Sequence, residues 1–209
     1  MRFKFLNIFI FCGIIFVFAC TNNKEKFTST PQSLNEEFLF YAKNFEEVSL
    51  PLTIKGCEVV SSKYPAFDGN SFGKYAEPNS YAYGKIKTDE KYVALITLMK
   101  GDCFFPILTV YTPNGKILDK KILSIDTCEN VCGSICQKVF KIDTDYTFYV
   151  ADTILRFTCD DVGHEIPGTL NYYVNYVTGA LLPSGIINMT DKQKKDLNYK
   201  PGIEDLKIE

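Results

Sequence analysis

The sequence predicts a mainly β fold: antiparallel meanders forming a sandwich or a curved, barrel-like sheet, arranged as two related units behind a short N-terminal helix. Three observations carry this. β-branched and aromatic runs recur beyond residue 80, turn signals separate them, and one long stretch is similar to another further along the chain.

The elements follow in chain order. "LNEEFLFYAKNF" (34–45) predicts a helix, with Ser33 as N-cap, Glu36 three residues on, and Leu34, Phe38, Tyr41 and Phe45 on one face. Residues 57–80 are rich in Gly, Pro, Ser and Asn and read as loop, the kind of segment that carries binding surfaces. Strands are then expected at 92–99, 106–112 and 116–125, with "TPNGK" (112–116) as a tight reversal. Two more are expected at 146–157 and 170–177, with Thr178-Gly179 as the next turn. "DKQKKDL" (191–197) reads as a short polar helix capped by Thr190. The similar stretches are 85–99 with 141–155, and 109–118 with 173–182. Cys103 and Cys159 each fall just after the long strand that opens a unit.

The chain begins "MRFKFLNIFIFCGIIFVFAC". Arg2 and Lys4 precede an apolar run from Leu6 to Phe18 that has the length of a signal h-region and is short for a membrane span. Val17, Phe18 and Ala19 lead into Cys20, which is followed by the polar "TNNKEK". This resembles the lipobox of bacterial lipoproteins, although Phe18 is larger than the residue usual at its position. The resemblance covers residues 1–20 only. It implies cleavage after residue 19 and acylation of Cys20, and more than one acyl chain holds a protein stably on a bilayer. In the enterobacterial sorting rule an aspartate after the acylated cysteine retains the protein at the inner membrane. Thr21 stands there, which points to the outer membrane. The expected organisation is a signal peptide at 1–19, a lipidated cysteine with polar tether at 20–33, and a single mainly-β domain at 34–209.

Composition narrows the function. Of 23 basic and 25 acidic side chains the signal removes only Arg2 and Lys4, so the mature chain keeps an acidic excess of about four. Without a basic stripe or a Gly-rich phosphate loop, nucleic acid and nucleotides are poor partners. Apolar residues at 46% argue for a packed core.

Removing Cys12 with the signal and Cys20 with the lipid leaves Cys57, Cys103, Cys128, Cys132, Cys136 and Cys159. An even number in an exported domain predicts disulfides. Zinc and thiol redox chemistry are the alternatives raised by "DTCENVCGSICQ" (126–137). Three thiols cannot pair among themselves, so at least one of Cys128, Cys132 and Cys136 is expected to bond outside that loop. The single histidine, His164, stands with Asp160, Asp161 and Glu165, a weak candidate set for a cation or for acid–base work within a solvated loop. Tyr172 and Tyr176 share one face of a strand and Tyr173 and Asn175 the other. The sequence therefore predicts no catalytic residues, no cofactor and no dedicated metal site. Its leading reading is a lipid-anchored, disulfide-stabilised binding or structural protein of the cell envelope. An envelope glycan- or peptide-binding accessory protein is the alternative, with a hydrolase or a metal/thiol protein behind it. The first alternative would show an exposed aromatic cleft at Tyr173, Asn175 or residues 64–80.

Overall fold

In a computed structural model, residues 35–67, 72–88, 91–125 and 131–197 are described. Among the described residues, helix α1 (Glu36–Ala42) precedes twelve strands: β1 (Glu47–Val48), β2 (Leu52–Lys55), β3 (Ala66–Phe67), β4 (Ser80–Ile86), β5 (Val93–Met99), β6 (Phe105–Tyr111), β7 (Ile117–Ile122), β8 (Ser134–Ile142), β9 (Thr147–Arg156), β10 (Asn171–Leu181), β11 (Ile187–Met189) and β12 (Gln193–Asp196). One sheet has the order β1-β4-β5-β6-β7, with β3 also on β4. The other has the order β11-β10-β9-β8-β2, with β12 also on β10. Two four-strand meanders, β4–β7 and β8–β11, thus make the two layers of a sandwich.

The core explains the layering. Ala94, Ile96, Leu98, Leu108 and Val110 of the first sheet pack against Phe140, Ile142, Phe148, Val150 and Val177 of the second. Removing such a side chain from water is worth roughly 1.5–3 kcal/mol, so this layer is the main source of stability. β5 and β6 are buried on both faces. Leu95 and Tyr111 point away from the sandwich into a second cluster with Phe38, Tyr41 and Phe45 of the α1 region and Phe67. This double burial is why "VALITLM" reads as a continuous apolar run rather than an alternation.

Helix α1 starts at Asn35, whose side chain accepts hydrogen bonds from the backbone N–H groups of Glu37 and Phe38. The cap is therefore Asn35, and the expected cap Ser33 lies outside the described residues. After α1, β1 runs parallel to β4 on the edge of the first sheet, and β2 pairs with β8 on the edge of the second. Residues 49–51 cross between them and close one side of the sandwich. On the other side the Ile187 backbone N–H donates to Asp119 Oδ2 at 2.8 Å.

Two expectations are corrected. Thr178-Gly179 is not a turn but lies inside β10. The reversal comes at Leu182–Ile186, where the Leu182 N–H donates to the Ile186 carbonyl and the Gly185 N–H to the Leu182 carbonyl. Thr112–Lys116 has the same two bonds, and Gly115 and Gly185 hold φ of 85° and 83°. Both turns place Pro two residues before Gly, so the true counterpart of "TPNGK" is "LPSGI". The second correction is at 191–197, which forms strand β12 rather than a helix. Its residues pair with Tyr173–Tyr176 of β10, and that ladder outweighs the helical preference of its Lys and Gln.

Candidate functional site

The strand directions bring both first hairpins to one end of the sandwich. The β4–β5 connection, the β8–β9 turn and the segment 47–50, which runs from β1 into the crossing, meet there around a cleft of about 630 Å³. Glu47 and Val48 line it from β1, Ser49 and Leu50 from the crossing, Lys87 and Thr88 from the first hairpin, and Thr144 and Tyr146 from the second. The volume is in the range of small-ligand sites. Tyr146 ties the two hairpins together, because its hydroxyl donates to the Lys87 carbonyl at 3.0 Å. Its backbone holds a φ of 64°, a left-handed conformation that costs a non-glycine residue roughly 1–2 kcal/mol. The surrounding turn fixes it, with the Tyr146 N–H donating to the Asp143 carbonyl and the Asp143 N–H to the Thr147 carbonyl. Glu47 is drawn toward the sheet by Lys85, at 3.4 Å. Hydroxyls, one carboxylate and one amine above a floor of Val48 and Leu50 suit hydrogen bonding to a polar ligand.

A second concavity of about 300 Å³ runs along the closed side, between β2 and β4. Tyr64 and Tyr83 meet in it with ring centroids 4.9 Å apart. Lys55 pairs with Glu58 at 3.4 Å on its rim, beside Lys63. Burial, and next the neighbouring Tyr64, push the Tyr83 hydroxyl up to about 12. Tyr64 comes from the loop-rich stretch singled out in the sequence. Tyr83 lies on a strand that the sequence did not mark.

The cysteines gather at the end away from the cleft. Cys57 is bonded to Cys103, and Cys132 to Cys159. Each bond joins a segment lying before a meander's first strand to the connection between its second and third strands. Cys136 is disulfide-bonded as well. The other four described cysteines pair with one another, so its partner lies outside the described residues, as does Cys128 itself. "DTCENVCGSICQ" is not one loop throughout: β8 begins at Ser134 and carries Cys136 into the sheet.

Asp160 Oδ1 accepts from the backbone N–H groups of Val162 and His164 and so organises its own turn. His164 Nδ1 lies 3.5 Å from Asp160 Oδ2 with its ring largely exposed, and Asp161 and Glu165 are exposed beside it. Among the described residues, no three His, Cys, Asp or Glu side chains are grouped to hold a metal ion. Tyr173 and Asn175 face the interior and are buried, so they form no exposed aromatic cleft. Tyr176 on the opposite face packs on Tyr149 at 5.5 Å and donates its hydroxyl to Gln193.

No protein-family model, no curated protein and no solved structure matches this chain.

Proposed function

We propose that the chain is a lipid-anchored lipoprotein of the cell envelope, facing out of the outer membrane or into the periplasm, whose β-domain binds an envelope glycan or peptide without transforming it. The carrying observation is the division of labour between the two ends of the sandwich. Disulfides secure one end, while the other gathers three chain segments around a polar cleft. Disulfides persist outside the reducing cytoplasm, which agrees with the signal and lipobox at residues 1–20. Cys20 is the acylated residue in this reading, and 21–33 is the tether that lets the domain stand off the bilayer.

The test is a titration of the full chain with peptidoglycan fragments, either bare glycan strands or strands carrying stem peptides, followed by backbone amide shifts. Shifts concentrated at Ser49, Thr88, Thr144 and Tyr146 support the cleft. Shifts centred on Tyr64 and Tyr83 instead support a second reading favoured by that aromatic pair, a glycan laid along the side groove. If neither set responds to either ligand, binding of such fragments is refuted.

A further inference from the structure

One row of the inner face of the second sheet differs from the rest of the core. Lys138, Asp152 and Asn175 are cross-strand partners on β8, β9 and β10, and are 7%, 1% and 8% exposed. Strands β5 and β6 of the first sheet offer Ala94, Ile96, Leu98, Leu108 and Val110 to the same core, and Lys138 and Asp152 are the only charged side chains buried among the described residues. The sandwich therefore does not require charge at this depth. Lys138 Nζ lies 3.0 Å from Asp152 Oδ2 and donates to Ser124 Oγ at 3.0 Å. An amine and a carboxyl are thus held at contact on adjacent strands, and Asn175 flanks the carboxyl from the other side.

We propose that Lys138 and Asp152 condense into an intramolecular isopeptide bond between β8 and β9. Nζ forms a bond to Cγ of Asp152 and the Cγ–Oδ2 bond breaks. Oδ2 departs as water with two of the three ammonium protons, and the third stays on the amide nitrogen. No oxidant, reductant or co-reactant is consumed. Three physical factors favour the step. Fixed contact gives well-oriented intramolecular reactions effective concentrations of about 10⁵ M or more. A buried ion pair carries a desolvation penalty for each charge, and the amide removes both charges. Burial of the pair also limits the water available for hydrolysis once the product water has left.

The test is a tryptic map of the full-length protein after reduction and alkylation, beside Lys138→Arg and Lys138→Met/Asp152→Leu. In the native protein trypsin cannot cut after Lys138. Peptide 122–141 is then expected joined to 142–156, lighter than the sum of the two by one water, about 18 Da. Lys138→Arg keeps an ion pair but no condensing amine, so it should give only linear peptides while retaining the native circular dichroism. The double variant provides a second linear control in which no buried charge is left alone. Recovery of linear 122–138 and 142–156 from the native protein in nearly full yield overturns the proposal. A link from Lys138 to peptide 157–192 with loss of ammonia, about 17 Da, also overturns it, because the acyl partner would then be Asn175.

Discussion

Replacing Cys57 and Cys103 together by alanine should destabilise the domain by on the order of 4 kcal/mol. The bond closes a loop with a sequence separation of 46 residues. In the chain-entropy description, losing such a closure frees roughly 13–14 cal/mol/K in the unfolded ensemble, about 4 kcal/mol at 25 °C. Cys103 is also buried at 4% exposure, so its truncation adds a small packing loss of the same sign. The Cys132–Cys159 bond spans 27 residues and is expected to contribute slightly less, about 3.5 kcal/mol. The chain has no Trp, so urea unfolding is best followed by circular dichroism, with both double variants beside the oxidised native protein. A loss under about 1 kcal/mol for the Cys57/Cys103 pair, at unchanged m-value, would refute the claim that this staple stabilises the fold through the unfolded chain.

The other predictions concern packing and pH. A Cβ on Gly179 would meet the Asn188 carbonyl oxygen and the Phe148 ring, so Gly179→Ala should cost about 1–3 kcal/mol in the same assay. Gly115→Ala should cost a similar amount or more, because φ is 85° and the new methyl would lie 2.5 Å from Phe38 Cβ; an unchanged midpoint would contradict the packing of α1 on that turn. Burial pushes the Tyr111 hydroxyl up to about 12, whereas an unfolded tyrosine ionises near 10. The unfolded state therefore loses its proton first, and stability that is intact below pH 10 should fall between pH 10 and 12, by roughly 2 kcal/mol for this residue. Tyr111→Phe should flatten that decline in a series of thermal melts across this range.

The parts of the fold visible in the sequence are those that local pattern controls. β5 and β6 announce themselves because both faces are buried, which forces an apolar run, and α1 because Phe38 and Tyr41 recur on one face. The two-meander plan showed in the likeness of 85–99 to 141–155. Its second half was misaligned because Thr178-Gly179 imitates a turn, whereas Gly179 is there so that Asn188 and Phe148 can approach the backbone. The strand at 193–196 was hidden by residues with helical preference whose conformation is set by β10. β1 and β3 are two residues each and leave no periodic signal. The cleft was not legible at all. Its lining comes from residues 47–50, 87–88, 144 and 146, and only strand direction and sheet order bring those segments together. The buried row was equally hidden, since Lys138, Asp152 and Asn175 become neighbours only through register.

In the proposed reading, acyl chains on Cys20 hold this disulfide-stabilised domain at a membrane. Fractionation of cells that express the full chain and its Cys20→Ala variant decides whether this anchoring holds. The native protein should sediment with outer-membrane vesicles and resist high-salt washing, while the variant should lose that attachment. A Cys20→Ala protein that remains in the membrane pellet, or a native protein found wholly in the soluble cytoplasmic fraction, would overturn lipid anchoring through Cys20.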